Sequence, residues 1–278
     1  MAYKTVVVLV SESESAESCI EAAATIAKME ESHLIGVAIT GVTRFLKETV
    51  TLDKDNPGIA PFLDVLRKRA GKLLEKFNKI VETIGVKSVE TRALDNPFSR
   101  DAGLLGTCCD LLVLGQSDPS DSNSIESEIT ADLLTGSAYP VLMMPYKESF
   151  KKVGSHVLIA WDGSRESQRA IRDAIPFLQK AENVHLVTFS HGLQAEDLHR
   201  QSLADIQAYL MRYGVRVDVS ERATNSDVGD ALLMLISSTR SNLLVMGCYG
   251  HSPFREMVFG GVTRKILKTM NAPVLLSH

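Results

Sequence analysis

Asp110-Leu111-Leu112-Val113-Leu114-Gly115 and Asn242-Leu243-Leu244-Val245-Met246-Gly247 are the same phrase written twice. Each is a short continuous apolar run closed by glycine, the pattern of a strand covered on both faces. The likeness extends outward in both directions. Leu133-Leu134 precedes Tyr139-Pro140-Val141-Leu142-Met143, as Ile266-Leu267 precedes Ala272-Pro273-Val274-Leu275-Leu276. Upstream, residues 6–20 resemble residues 157–171. The offset is 151 residues from Val6 to Val157 but 132 from Gly115 to Gly247. The first copy therefore carries an insertion, placed at residues 41–60. The chain divides into repeats at 1–150 and 151–278, joined by a polar segment at 146–155.

The second repeat predicts strands at 156–160, 184–189, 215–220, 243–246 and 274–276. Between them, apolar residues at helical spacing predict helices over 166–178, 195–213, 228–240 and 262–270. Strands alternating with helices give an α/β fold: two tandem, doubly wound domains, each with a five-stranded parallel sheet.

Composition narrows the function. The 278 residues are 45% hydrophobic and 23% charged, which excludes a disordered chain or a coiled coil as the whole. No apolar stretch approaches the ~20 residues of a membrane span, and the run Val6–Val10 is too short for a signal-peptide core. A cytoplasmic protein is expected. Cys19, Cys108, Cys109 and Cys248 form no Cys-x-x-Cys pair and no zinc spacing. Net charge is −7 over residues 1–150 and +3 over 151–278, with no basic patch for nucleic acid. The second repeat is the better host for a small anion.

In an open parallel sheet, ligands lie beyond the carboxyl ends of the strands at the point where strand order reverses. Two loops of the second repeat qualify. One is Trp161-Asp162-Gly163-Ser164; the other runs from Gly247-Cys248-Tyr249-Gly250-His251 to Gly260-Gly261-Val262-Thr263. Glycines let the backbone approach a phosphate and reach positive φ, and a helix starting at Val262 offers unpaired N–H groups to an anion. Asp162 can accept a hydrogen bond from a ribose hydroxyl or an exocyclic amine. Taken alone, such glycines also read as turn and capping residues. His251 lies in the loop within reach of a phosphate, with a solvated side chain as the alternative.

Gly247-x2-Gly250-x9-Gly260, with Ala160-Trp161-Asp162-Gly163-Ser164 and Ala272-Pro273-Val274-Leu275, resembles the nucleotide-binding signature of the universal stress protein family. The resemblance covers the whole chain as a tandem member. It implies the family's fold of adenine-nucleotide alpha-hydrolase type, paired through its last strand, so that the two halves form an intramolecular pseudo-dimer; a further homodimer stays open. It also implies an ATP, ADP or AMP ligand, with Mg²⁺ left open. Adenine would lie near Asp162 and near Thr188 or Phe189, between the strand ends Ala160 and Met246. Phosphates would lie on Gly247, Gly250, Gly260, Gly261, Val262 and Thr263.

Two departures matter. Gly261 stands where the family usually has Ser or Thr, so a hydroxyl contact is missing unless Thr263 supplies it. In the first repeat, Ser11 replaces Asp162, Gly115 is followed by Gln116-Ser117-Asp118, and Ser127-Glu128 replace Gly260-Gly261. A carboxylate at that helix start would repel a phosphate, so the first repeat is expected not to bind ATP. No Walker-type Gly-Lys-Ser/Thr and no base beside an attacking water is present, and Ser164 lacks a nucleophile-elbow setting. No catalytic or metal-ligating residue is assigned, and hydrolysis would be weak at most. A nucleotide-independent chaperone or interaction protein, using residues 41–84, is the rival from another class.

Overall fold

The structure is a computed structural model. It describes residues 2–48, 59–95, 108–118, 133–134, 139–146, 150, 152–190, 196–223, 227–248 and 261–278. The N-terminal half contributes β1 (Thr5–Leu9), α1 (Ala16–Glu30), β2 (His33–Ile39), α2 (Val42–Glu48), α3 (Ala60–Ile84), β3 (Ser88–Leu94), β4 (Leu111–Gly115) and β5 (Val141–Met144). The C-terminal half contributes β6 (His156–Ala160), α4 (Arg165–Asp173), a single turn α5 (Ile175–Leu178) and β7 (Asn183–Ser190). It continues with α6 (Glu196–Arg212), β8 (Asp218–Ala223), α7 (Val228–Thr239), β9 (Leu243–Gly247), α8 (Gly261–Thr269) and β10 (Val274–Ser277).

The ten strands form one sheet in the order β3-β2-β1-β4-β5-β10-β9-β6-β7-β8. Each half repeats one winding: from its first strand outward through the second and third, then back past the first to the fourth and fifth. All neighbours are parallel except β5 and β10, which run antiparallel. Leu142 pairs with Leu275 at the centre of that junction, and these are equivalent positions of the repeat.

Alternation along the strands feeds two cores. Val6, Val8, Val157, Ile159, Leu243 and Val245 pack with Ala23 of α1, Phe77 of α3, Ala170 of α4 and Leu210 of α6. Val7, Leu158, Leu244 and Met246 face the other way, toward Leu134, Leu232 of α7 and Ile266 of α8. The runs that read as doubly covered are doubly covered: β4 and β9 are buried along their first four residues.

Three local expectations change. The helix expected over 166–178 breaks after Asp173, because Pro176 has no N–H to donate to Arg172 and its ring crowds that carbonyl. The strand expected at 215–220 starts at Asp218; Val215 and Val217 are instead buried ahead of it. The insertion at 41–60, read without structure, contains α2, whose Phe45 stacks on Phe62 of α3 at 6.1 Å. Residues 49–58 of that insertion lie outside the described residues.

Candidate functional site

Strand order reverses between β6 and β9, so the carboxyl ends of these strands flank the crevice where an open α/β sheet binds its ligand. β6 ends at Ala160, and the chain turns through Gly163 at φ +75° into α4. Asp162 and Ser164 build that turn together. Asp162 Oδ1 accepts from the Ser164 N–H at 3.0 Å and from its hydroxyl at 2.5 Å. Ser164 then caps α4, accepting from the Ser167 N–H at 3.1 Å. The Asp162 carboxylate is thus oriented by a helix cap and remains exposed.

Gly247 ends β9 against the start of α4. A Cβ there would lie 2.6 Å from the Glu166 carbonyl carbon and the Ser167 nitrogen. Gly115 does the same for α1, where a Cβ would meet Ser15 Oγ at 2.3 Å. Neither glycine has positive φ. The shared glycine of the repeat therefore serves close helix–strand approach, a reason independent of any ligand and different from the conformational one read from sequence.

Beyond β9, the Cys248 N–H donates to the Ser277 carbonyl at 2.9 Å. Burial and the neighbouring Glu166 push the Cys248 thiol up to about 12, so it stays protonated and unreactive at neutral pH. His278 lies beside the same turn; burial and Arg169 lower its pKa. α8 then runs back antiparallel to β9, which places its first turn at the carboxyl edge of the sheet. It starts at Gly261, one residue earlier than expected. Gly261 is exposed, and a Cβ there would meet nothing within 4 Å. Val262 packs against the core and Thr263 is buried. α4 and α7 carry Glu166 and Asp230 in their first turns, whereas α8 has no acid there and bears Arg264; Lys265, one residue on, pairs with Asp230 at 2.9 Å. Its positive dipole end thus has no carboxylate from its own first turn.

The remaining expected contacts separate by sheet face. Thr188 is fully buried, two residues along β7 from Leu186, which packs with α4 and α6. Half-buried Phe189 turns to the other face with Ala160, Met246 and Val262. Of the two adenine-side candidates, Phe189 shares its face with the strand ends Ala160 and Met246. Gly250, His251 and Gly260 lie outside the described residues, as do Glu126 and Glu128 of the first repeat. Among the described residues, no group of three or more His, Cys, Asp or Glu side chains could hold a metal. No described helix is long and apolar enough to cross a membrane.

Residues 155–278 match the family model described as the universal stress protein family. Over these residues the chain is similar to that family. A universal stress protein of Synechocystis is 26% identical over 137 residues, 49% of this chain and 46% of its own length. The chain thus spans about half the length of the curated relative it matches. The crystal structure of a universal stress protein from Archaeoglobus fulgidus, 15% identical, is similar over 98% of this chain and 95% of its own, with a TM-score of 0.73. A second structure, from Pseudomonas aeruginosa, gives 17% identity, 99% and 93% coverage and a TM-score of 0.62. These likenesses are of fold, and they run over the whole chain.

Sequence reasoning missed one residue of this region. Gln116 occupies the place of Cys248 in the repeat: its N–H donates to Met144 as that of Cys248 does to Ser277. The sequence registers only a glycine motif that has decayed. In the fold, the Gln116 side chain crosses to the other half and donates to the carbonyls of Leu267 and Lys268.

Proposed function

We propose that this chain is a universal stress protein that binds an adenine nucleotide, ATP or its ADP and AMP relatives, in its C-terminal half as part of a stress response. The chain acts as a tandem of two domains, 1–150 and 151–278, whose N-terminal member holds no nucleotide. The observation that carries the reading is the first turn of α8. It opens at the strand-order switch with an unhindered Gly261, no acidic residue of its own and the cationic Arg264. N–H groups there suit phosphate oxygens. Asp162, fixed by Ser164, suits the ribose or base. Bonding of Gln116 to α8 and the Ser11–Ser13–Ser15 hydroxyl chain support a first half turned to other use.

The test is mass spectrometry of any small molecule released from freshly purified protein, with ATP titration of the wild type and of Gly260→Glu. Near one adenine nucleotide per chain, lost in the variant, is expected. A wild type that neither carries nor binds one refutes the proposal. The second reading, a nucleotide-independent interaction protein, is favoured by Phe62 and Val65 of α3, which are 59% and 64% exposed. Function that survives substitution of both Asp162 and Gly250 would select it.

A further inference from the structure

We infer that Gln116, a residue of the N-terminal half, is a positioning residue for the nucleotide site of the C-terminal half, so that ligand binding and the contact between the halves are coupled through α8. The inference rests on the nucleotide reading above.

α8 has nine residues, about 13 Å of helix at 1.5 Å per residue. Its first turn holds the proposed phosphate contacts. The carbonyls of its last turn have no partner within the helix. Two of them, Leu267 and Lys268, accept from the Gln116 Nε2 amide at 2.8 and 3.1 Å. In so short a helix, fraying from either end reaches the other within two turns, and formation is cooperative. Tethering the last turn therefore also holds the first.

The Gln116 side chain is itself fixed. It is buried, its Oε1 accepts from the Tyr146 N–H at 2.9 Å, and its own N–H donates to Met144 at 2.8 Å. Turning the amide over would set its oxygen against two carbonyls and its NH₂ against an N–H, so only one orientation satisfies the site. Tyr146 is tied in turn to Asp118 by its hydroxyl at 3.1 Å. The equivalent residue of the C-terminal half shares the main-chain bond alone: Cys248 turns its thiol to Ser277 of its own half, 3.5 Å away. Between these two positions, among the described residues, the side-chain link runs from the half with the decayed motif to the half with the glycine motif.

Coupling is reciprocal. If Gln116 favours the binding geometry of α8, ATP on α8 must strengthen the hold on Gln116 and Tyr146. Two measurements on the full chain test this: ATP titration of wild type, Gln116→Ala and Gln116→Glu, and amide hydrogen exchange of Tyr146 in the wild type with and without ATP. Gln116→Ala should weaken ATP about 3- to 10-fold, a share of two lost hydrogen bonds. Gln116→Glu should weaken it further, because a carboxylate would face two carbonyls at the negative helix end. ATP should slow exchange at Tyr146, a response that a merely structural role would not produce and that needs no variant to fold. Wild-type ATP affinity in both variants, or Tyr146 exchange indifferent to ATP, overturns the inference and leaves the site reading standing. A wild type that binds no adenine nucleotide overturns both.

Discussion

Replacing Gly247 with alanine tests the close packing of α4 on the end of β9. The new Cβ would sit 2.6 Å from two backbone atoms of α4, the Glu166 carbonyl carbon and the Ser167 nitrogen, and 2.8 Å from the Glu166 Cβ. Comfortable carbon contacts begin near 3.5 Å, so the first turn of α4 must retreat by about 1 Å. No rotamer change relieves the overlap, because the obstacles are main-chain atoms of a helix already capped by Ser164. Overpacking of this kind costs about 1–3 kcal/mol. At about 2–4 °C per kcal/mol for a chain of this order of size, the melting temperature should fall several degrees. The displaced turn carries Ser164 and, through it, Asp162, so nucleotide affinity should fall as well. The assay is urea and thermal unfolding of Gly247→Ala beside Gly115→Ala, whose obstacles are the Ser15 and Cys19 side chains and can turn aside. A Gly247→Ala protein as stable as wild type would refute the claim that α4 rests directly on the end of β9.

Gly261→Ala is the converse case: with open space around its Cβ it should stabilise the protein by about 0.4–1 kcal/mol, while ATP titration reports whether a ligand needs that space. Asp173 is held above the ordinary carboxyl range by burial, against the pull of Ser277, Arg169 and Arg172. The folded state therefore binds the extra proton, and stability falls as pH rises from about 4 through the raised pKa. Asp173→Asn should remove that slope and be more stable at pH 7, measured as urea midpoints across pH; an unchanged slope counts against it. His185, on β7, is shifted the other way by burial and Arg222, with Asp218 opposing. Its contribution is complete above about 6.5 and lost as pH falls through the lowered value. His185→Gln should flatten the stability profile on the acid side of neutrality, and a profile identical to wild type would exclude His185 as its source.

The winding was legible because it is written in local patterns: β4 and β9 are unbroken apolar runs, and Gly214 closes α6 at φ +77° as its position after the helix suggests. Pro176 marks the break in the sequence, but the apolar stripe runs through it and masks the missing N–H. β8 began late because Val215 and Val217 alternate like strand residues while they only approach the sheet. Asp162 was legible as a loop carboxylate, but its hold by Ser164 depends on geometry. Phe189 and Thr188 differ by a single step along β7, and only the sheet decides which faces Met246. Gln116 had no signal. Its acceptors lie 151 and 152 residues away, and a position that departs from a motif announces a loss without announcing its new partner.

The antiparallel seam has a consequence for how the molecule can associate. β5 and β10 are short and wholly buried, and each would be an unpaired apolar edge if the halves were separated. Inside one chain each strand meets its counterpart at the high effective concentration that a tether confers, so dilution does not open the junction. What the sheet shows at its outer margins is different: β3 carries Glu90 and Arg92, and β8 carries Asp218, Glu221 and Arg222. Those charged margins discourage growth of the sheet by further copies. Cutting the chain between β5 and β6 would therefore turn a self-contained ten-stranded sheet into two sticky halves whose pairing follows concentration.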